Sequence, residues 1–403
     1  MKYRITPINP LISRDARPFG TGGRVKSLEW LSQTVIAGAV RSLLWKECRS
    51  VELVKQVKVS GTFPVVNGKI YFPRPLDIIA DKENIYSIRP IQNFPENCGA
   101  DMPVNGLLPA FPDTEKDFKP ERINSYWQKK LISQWLRRGS KNFTLDDTLT
   151  LKSPEKDERV HVNINSSTGT SNEGMLFSTV GLDFTRKISS KLEQGNLSVD
   201  IELPQELAGL MPEKFIVPIG GERRLAEFTR DDYAANGLET GKFSHDGLDN
   251  TRKNHNVPAD NGKTHKPANT LWNAPSELET GKNLRMILAT PAIFSHGWFP
   301  GWIDEENLTG TIPNTDVKVK LISAVTGRWQ AVSGWSYEHE TYGPKPIRRA
   351  VPAGSVYFFE LQDGNFDAKA NWLKSICDDE CDVNDGFGLA LWGNWEYNRR
   401  EIF

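Results

Sequence analysis

The chain begins with the stretches YRITPINPLI (3–12), SRDARPFGTGGRVK (13–26) and SLEWLSQTVIAGAVRSLL (27–44), and these three decide how it folds. The first has the alternation of a β-strand, and the second is a basic loop rich in glycine. The third changes to the period of an amphipathic helix. A strand, a loop and a helix in this order predict the first half of a βαββαβ ferredoxin-like unit.

The helix is predicted to begin after an N-cap at Ser27 and to bury one apolar stripe. Arg41 lies about 220° around the helix axis from Leu28, so it is predicted to face away from that stripe. The stripe consists of Leu28, Leu31, Val35, Ala39 and Leu43.

Two further elements are predicted in the first half of the chain. Asn67-Gly68, between apolar residues, is typical of a β-hairpin turn. A helix is predicted over 121–138, with Gly139 as its C′ stop. Its apolar residues are spaced by four: Ile123, Trp127, Leu131 and Trp135.

A second, similar unit is expected near the end of the chain. Strands are predicted at 284–289 and 356–361, followed by a helix near 367–376 and the glycine-rich turn DGFGLALWGN at 385–394. The sequence therefore predicts an α+β fold with two ferredoxin-like (RRM-like, βαββαβ) domains.

A polar segment at 229–282 interrupts the two units. Only 13 of its 54 residues are apolar, or 24% against 38% for the whole chain. Such a segment buries little surface, so it is predicted to be a long loop or flexible insertion. The predicted boundaries are 1–228 for the first domain and 283–403 for the second. The segment's histidines lack compact metal-ligand spacing and are interpreted as solvated: His245, His255 and His265.

Composition excludes several classes of protein. The 403 residues carry a net charge of −1 and have a mean hydropathy of −0.48, which is typical of a folded, soluble chain. The sequence contains neither a run of roughly 18 apolar residues nor a secretion signal, so a cytoplasmic location and no membrane partner are expected. Four cysteines do not make a disulfide framework, and Cys377 and Cys381 lack a second ligand pair at zinc spacing. No metal and no cofactor are predicted.

The charges are distributed unevenly along the chain. Residues 1–60 hold 11 Lys and Arg against 4 Asp and Glu, whereas residues 361–403 hold 4 against 9. This pattern predicts a basic face that can follow phosphates and an acidic face that meets a protein partner.

The loop GTGGRVKS at 20–27 nearly matches a phosphate-binding P-loop. Val25 stands where that motif requires glycine, so nucleotide hydrolysis is not favoured. What remains is a glycine-rich turn before a helix N-terminus, which is a favourable setting for phosphate oxygens. A turn that merely needs positive φ explains the glycines equally well. The flanking cations favour phosphate: Arg14, Arg17, Arg24 and Lys26.

Two other motifs are compatible with RNA binding. The pairs of glycine and arginine in IGGERR (219–224) suit a phosphate or a base edge, although one arginine could pair with Glu222 instead. HVNINSSTGTSNEGML (161–176) offers many neutral hydrogen-bonding groups to a single strand. His161 is compatible with a general base and with a packing residue. The candidate base-stacking aromatics, which core packing explains as well, are Trp298, Phe299, Trp302, Trp392 and Trp395.

Seven blocks between residues 10 and 393 together resemble one family: PLISRDARPFG, SQTVIAGAVRSLL, RVHVNINSSTGTSNEGMLFST, VPIGGERRLAEF, LATPAIFSHGWFPGW, VPAGSVYFFEL and DGFGLALWG. The chain resembles the third Cmr subunit of type III-B CRISPR effector complexes, a member of the RAMP superfamily. Two features depart from that pattern. Ala16 stands where glycine is expected in the RDxRPF block, and 229–282 has no evident counterpart.

The resemblance implies a noncatalytic RNA-binding subunit that captures the 5′ handle of the crRNA. The implied protein partners are the large polymerase-like subunit and the backbone RAMP subunits, with target RNA contacted only indirectly. DGFGLALWG would be the glycine-rich RAMP loop. The implied RNA contacts are Arg14, Arg17, Gly20, Gly22, Gly23, Arg24, Lys26, Arg41, Thr168, Gly169, Gly220, Gly221, Arg223 and Arg224.

Two other functions stay open at this point. A metal-independent RAMP endoribonuclease would process crRNA, with His161 as its base. A pure scaffold would contact neighbouring proteins and no RNA.

Overall fold

The structure, a computed structural model, describes residues 1–14, 24–25, 27–92, 101–138, 143–188, 191–231, 271–279, 281–336, 338 and 340–398. Helices make up a small part of these residues. They are α1 (Gln33–Cys48), α2 (Val51–Lys55), α3 (Lys129–Arg138) and α4 (Glu380–Asp385).

The strands before the polar segment are β1 (Lys2–Pro7), β2 (Arg24–Val25), β3 (Lys58–Val66), β4 (Lys69–Pro73), β5 (Ile78–Ala80), β6 (Ile85–Pro90), β7 (Ala110–Pro112), β8 (Tyr126–Gln128), β9 (Thr150–Leu151), β10 (Glu155–Ile164), β11 (Ser171–Asp183), β12 (Thr185–Ile188), β13 (Lys191–Gln194), β14 (Asn196–Glu202), β15 (Lys214–Pro218) and β16 (Leu225–Arg230). Those after it are β17 (Asn283–Leu288), β18 (Thr309–Thr311), β19 (Lys318–Val325), β20 (Gln330–Val332), β21 (Trp335–Ser336), β22 (Gly343–Pro344), β23 (Arg348–Ala350), β24 (Val356–Asp363) and β25 (Ala390–Asn394).

Two sheets organise the molecule. The first sheet has eight strands in the order β15-β16-β1-β14-β3-β4-β8-β9, and the second has five in the order β18-β19-β24-β17-β25. Every pairing between these named strands is antiparallel. Among all the strands of the described residues, β2 alone pairs in parallel, with β11. The fold is therefore a mixed α/β one, built mostly of antiparallel sheets with few helices.

Three apolar clusters hold these layers together. The first lies between α1 and the first sheet, and the second covers one face of the second sheet. The third lies between the two sheets and includes Phe72 of β4, Trp135 of α3 and Phe358 of β24. Because β17 is covered on both faces, Leu284, Arg285, Met286, Ile287 and Leu288 are all buried.

Helix α1 differs from its prediction in start and in buried face. It begins at Gln33, with Ser32 at the N-cap, while the Ser27 hydroxyl accepts a hydrogen bond from the Ser13 amide at 3.2 Å. The error is in the buried face: Val35, Ala39 and Leu43 of the predicted stripe are only half-buried, and Arg41, which does lie away from that stripe, is next to the face that is buried. The fully buried side chains are Gln33, Ile36, Ala37, Val40 and Leu44. The first strand also ends earlier than predicted, at Pro7.

Two other predictions in the first half fared differently. The hairpin at Asn67-Gly68 is confirmed: β3 and β4 pair across it, and both turn residues have positive φ. The predicted helix over 121–138 is only half correct, because Tyr126–Gln128 forms a strand along β4 and the helix starts at Lys129. Strand pairing with β4 has overridden the helical spacing there, and Trp127 is fully buried in the result. Gly139 lies outside the described residues.

The later elements also shift. Within the predicted helix near 367–376, residues 368–373 form turns and no helix. The helix is α4 instead, capped by the Asp379 carboxylate, which accepts a hydrogen bond from the Cys381 amide at 2.8 Å. The end of the polar segment packs into the core: Trp272 and Leu278 are buried, and the Trp272 indole donates to the Ser198 hydroxyl at 2.9 Å. An expectation of little burial is therefore wrong for 271–279.

A buried ion pair joins the second sheet to the segment between β4 and β5. The Arg285 guanidinium of β17 lies 2.8 Å from the Asp77 carboxylate, and both side chains are almost entirely buried. The Trp135 indole donates to the second Asp77 oxygen at 2.8 Å, and Arg285 donates in turn to the Trp135 carbonyl. Burial lowers the pKa of Arg285, and the charge of Asp77 opposes that shift.

Replacing Asp77→Ala is expected to lower the free energy of unfolding by about 3–5 kcal/mol, because Arg285 would stay buried without its carboxylate. Urea denaturation followed by tryptophan fluorescence measures the change. Asp113→Ala, at an exposed position, is the control and should stay within about 0.5 kcal/mol of the parent. Equal midpoints for the two variants would show that the ion pair does not hold the sheets together.

Candidate nucleic-acid interface

Three segments predicted from the sequence to act together meet at the first turn of α1. The Ser32 amide donates to the Ser13 hydroxyl at 2.9 Å, which places the end of the β1 segment beside the helix. The Gly221 amide donates to the Ile12 carbonyl at 2.8 Å, which brings the IGGERR turn to the same place. The segment that leads into the basic loop, at Ile12 and Ser13, and the arginine turn therefore lie side by side, although about 200 residues separate them in sequence.

Gly220 is required by this contact. Its φ is +70°, and a Cβ built on it would collide with the Ile12 carbonyl oxygen. The two residues that follow the glycine pair are also left-handed, since Glu222 and Arg223 have φ of +56° and +48°. Consecutive left-handed residues other than glycine store strain, which clusters at ligand-binding turns.

The two arginines of this turn differ in exposure. Arg223 is exposed, whereas Arg224 is half-buried and its Nε is buried without a hydrogen bond in the described part of the chain. Within that part, neither arginine forms an ion pair with Glu222, which is the alternative that the sequence left open. Both guanidinium groups therefore keep donors for a ligand.

The basic loop is described only at its ends. Arg14 is exposed, and its backbone forms a β-bridge with Ser27. The backbone of Arg24 lies in β2 beside Ser178 of β11. The remaining predicted contacts of this loop lie outside the described residues: Arg17, Gly20, Gly22, Gly23 and Lys26.

The N-terminus of α1 suits an anion. Its first turn contains no acidic residue, and the Ser32 hydroxyl bonds to the Thr34 hydroxyl at 2.9 Å instead of capping the helix. The positive end of the helix dipole is therefore not balanced by a carboxylate in that turn.

Arg41 does not join this group. Its guanidinium forms an ion pair with Asp385 and donates to the Val57 carbonyl at 2.9 Å. The guanidinium of Arg41 thus joins α1 to the end of α4, so this arginine has a structural role.

Thr168 and Gly169 lie at the far end of a long hairpin formed by β10 and β11. Gly169 has a φ of +69° and forms the tip of the turn. Eight residues separate Thr170 from Ser178, where the hairpin meets β2, so the tip lies about 27 Å along the ribbon from that point. The structure therefore does not bring these two residues together with the cluster at α1.

The long hairpin exposes an apolar face that sequence reasoning missed. Val160, Val162 and Ile164 alternate along β10 and are 68%, 47% and 54% exposed, and Leu176, which pairs with Val162, is 60% exposed. The signal was the alternation in ERVHVNI between charged and polar neighbours, which is typical of a strand with one apolar face. Four exposed aliphatic side chains on one projecting ribbon indicate a contact surface.

His161 lies on the opposite face of the same hairpin. Its ring stacks on Phe177 at 5.1 Å between centroids, and its Nε2 is 2.8 Å from the Thr179 hydroxyl. These contacts account for it as a packing residue.

The aromatic residues singled out from the sequence fill the core instead. Phe299, Trp392 and Trp395 are buried. Trp302 is partly buried, and its indole donates to the Ile376 carbonyl at 3.1 Å. Trp298 packs against the same apolar cluster.

The glycine-rich segment DGFGLALWG also lies between layers. Gly386 has a φ of +86°, and a Cβ there would collide with the Val59 carbonyl oxygen of β3. Phe387 is buried. This segment therefore packs the second half of the chain onto the first sheet.

The described residues contain no group of His, Cys, Asp or Glu arranged to hold a metal ion. Burial raises the pKa of the Cys377 thiol to about 12. None of the described helices has the length and apolar character needed to cross a bilayer. The three histidines of the polar segment lie outside the described residues.

Comparison with known proteins identifies the class. The family model described as CRISPR-associated protein (Cas_Cmr3) matches residues 3–243 and 259–395, so the chain is a Cmr-type CRISPR subunit. It belongs to the Cas_Cmr3 family, as the seven sequence blocks predicted. Only 244–258 falls between the matched ranges, so most of the polar segment does have a counterpart in the family.

Similarity to individual proteins is more distant. A search of curated proteins gives no match. Among solved structures, the chain is similar to a chain of the type III-B Cmr-beta complex bound to cognate target RNA, with 14% identity, a TM-score of 0.47, and coverage of 89% of this chain and 86% of that one. For a chain of the same type of complex bound to cognate target RNA and AMPPnP (state 1), the identity is 15% and the TM-score is 0.43, with coverage of 89% of this chain and 86% of that one. For a chain of the Csm3–Csm4 subcomplex in the type III-A CRISPR-Cas interference complex, the identity is 13% and the TM-score is 0.32, with coverage of 90% of this chain and 93% of that one.

Replacing Gly220→Ala is expected to displace the arginine turn from Ile12 and to destabilise the protein by about 1–3 kcal/mol, because the position needs positive φ and has no room for a Cβ. Thermal unfolding measures this destabilisation. Gly209→Ala is the matched control, since nothing lies within 4 Å of a Cβ there. Unfolding temperatures that match for both variants would contradict the predicted collision with Ile12.

Proposed function

We propose that the chain is a noncatalytic RNA-binding subunit of a type III-B Cmr complex and captures the 5′ handle of the crRNA. Membership of the Cas_Cmr3 family supports the place in the complex. The observation that carries the RNA site is the bond from the Gly221 amide to the Ile12 carbonyl, because it joins the two arginine-bearing segments at one helix terminus.

Capture of the handle follows from three features of this region. Arg14, Arg223 and Arg224 supply cations for phosphates, and the glycine pair lets the backbone approach the strand closely. The first turn of α1 adds amide groups free of a neighbouring carboxylate. Arg24 and the five loop residues outside the described ranges stay predicted contacts, as do Thr168 and Gly169 at the hairpin tip.

The long hairpin supplies the apolar part of the mechanism. A single-stranded handle must be kept from stacking on itself if its bases are to be read. The hairpin presents an exposed apolar face on a ribbon that pairs with β2, and this face is suited to hold a base out of the stack. It consists of Val160, Val162, Ile164 and Leu176.

We propose further that both sheets derive from βαββαβ units. The orders β16-β1-β14-β3 and β25-β17-β24-β19 each follow the 4-1-3-2 arrangement of that unit. A βαββαβ unit has two helices. The first half of the chain has one of them, α1, which follows β1, and the second half has the other, α4, which precedes β25. The proposed domain ranges remain 1–228, with the segment 229–282, and 283–403.

The proposed protein partners are the large polymerase-like subunit and the backbone RAMP subunits of the Cmr complex, with target RNA contacted only indirectly. No membrane partner is proposed, and a cytoplasmic place of action stays a prediction.

Replacing Arg223 and Arg224 with Ala is expected to weaken handle binding and to flatten its salt dependence, by about 0.7 in the slope of log K against log salt for each phosphate that is no longer neutralised. Titration of the reconstituted Cmr complex with labelled handle RNA at several salt concentrations measures both. Lys130→Ala with Arg137→Ala, at exposed positions of α3, is the control and removes the same charge. Unchanged affinity and slope would remove the two arginines from the site.

Replacing Val162 and Leu176 with Ser is expected to let the propped base stack again. These residues face each other across the hairpin, and both are exposed, so stability should change by less than about 0.5 kcal/mol. The fluorescence of 2-aminopurine in the handle, which is quenched on stacking, measures the result. Asn163→Ser, on the opposite face, is the control, and quenching that matches in both complexes would contradict this role.

A further inference from the structure

Several large aromatic side chains are exposed to solvent, and most of them lie close together in the second half of the chain. All twelve tryptophans lie in the described residues, and three are largely exposed: Trp45, Trp329 and Trp335, at 41%, 48% and 49%. Two of the three are six residues apart. Tyr342 is 66% exposed and packs edge-on against Trp335 at 5.8 Å between centroids. Such a group of large exposed rings marks a binding surface.

These rings belong to two short strand pairs, β20 with β23 and β21 with β22, together called the aromatic ribbon. Trp335 lies in β21, Trp329 directly precedes β20, and Tyr342 directly precedes β22. Its inward face is packed, because Val332, Ser336 and Ala350 are buried. Trp335 therefore points outward as a consequence of strand alternation with the buried Ser336, and all three rings are exposed beside a backbone that is packed on its inner side.

The outward face is cationic as well as aromatic. The guanidinium of Arg349 lies 5.0 Å from the centroid of the Trp329 ring. Arg348 is bound to Asp382 at 2.7 Å, and Glu338 is bound to Lys55 at 2.9 Å, so these charges are neutralised within the protein. In the described part of 328–350, Arg328, Lys345 and Arg349 then stand against the single carboxylate Glu340.

The aromatic ribbon begins at the proposed handle site. The Thr34 hydroxyl, in the first turn of α1, donates to the Ser333 carbonyl at 3.4 Å. A cavity of about 290 Å³ separates the base of the ribbon, at Gln330 and Val332, from the segment 28–33 that leads into α1. The ribbon therefore lies directly beside the first turn of α1.

We propose that the aromatic ribbon is a second contact surface for single-stranded RNA, which takes the nucleotides next to those held at α1; this inference rests on the proposed handle site. One base stacks on the free face of Trp329, whose other face Arg349 covers, and another stacks against Trp335 and Tyr342. The two positions are six residues apart in sequence and lie at different strand pairs, so they hold separate bases. Arg349 and Lys345 neutralise the phosphates between them.

The test compares Trp329→Ala/Trp335→Ala with Trp45→Ala in the full chain assembled with the other Cmr subunits. Trp45 is a matched control, because it is similarly exposed and lies 4.9 Å from the Arg49 guanidinium. The ligand is fluorescein-labelled single-stranded RNA of the repeat-derived crRNA end, and anisotropy gives the affinity. Removing each stack is expected to weaken binding about 5- to 150-fold with an unchanged salt slope. Trp329→Phe in the otherwise unchanged chain keeps a ring to stack on and should bind nearly as tightly as the parent.

A second ligand makes the result specific to stacking. RNA that carries abasic riboses has the same phosphates but no bases to stack. The parent should bind this RNA more weakly than it binds intact RNA. The double variant should bind both RNAs with equal affinity. Equal affinity of the double variant and the Trp45→Ala variant for intact RNA overturns the proposal. Unchanged RNA affinity with impaired assembly of the complex also overturns it and assigns the ribbon to a protein partner.

The outcomes separate this proposal from the handle site. If Arg223→Ala/Arg224→Ala weakens binding and the tryptophan variant does not, the ribbon proposal fails and the handle site stands. If only the tryptophan variant weakens binding, the handle site at the two arginines fails, and the ribbon is an RNA contact surface that is not a neighbour of such a site, which overturns the proposal in the form given above. If the parent complex does not bind the RNA, both fail.

Discussion

The buried pair of Arg285 and Asp77 fixes how the two halves of the chain sit together. Arg285 comes from the central region of the second sheet, and Asp77 follows the last residue of β4 by four positions. A charge pair at almost complete burial is tolerated only in one geometry, because neither partner can be left without the other. The apolar cluster around it, with Phe72, Trp135 and Phe358, would accept many packings. The ion pair and the Trp135 hydrogen bonds select one of them.

With that arrangement fixed, α1 becomes the element on which both halves converge. Its middle buries Ile36 and Val40 on the first sheet, and Arg41 reaches Asp385 of α4. Its first turn receives the Ile12 segment, the Gly221 turn and, through Thr34, the aromatic ribbon. Contacts that hold the fold are therefore on the body of the helix, and the proposed ligand contacts are at its N-terminus, where a helix leaves its first amides without intrahelical partners.

The sequence predicts those structural features that depend on neighbouring residues. The Asn67-Gly68 turn depends on two residues that tolerate positive φ, and it was predicted correctly. The helix over 121–138 failed in its first half because a distant strand, β4, recruited Tyr126–Gln128. The proximity of Ile12 and Gly221 was not derivable from spacing, since no local pattern joins residues so far apart in sequence. The family resemblance placed both in one site, whereas composition and periodicity did not.

The carboxylates at the acidic end of the chain do not all belong to its surface. Of the nine in 361–403, which predict a face for a protein partner, Asp382 and Asp385 are buried and hold Arg348 and Arg41. Burial raises the pKa of Asp382, and its pairing with Arg348 opposes that shift. These carboxylates neutralise arginines inside the protein and add little negative potential near α1. A chain with a net charge of −1 can still present cations to a polyanion at α1 and along the aromatic ribbon, because its cations and carboxylates are distributed unevenly along the chain.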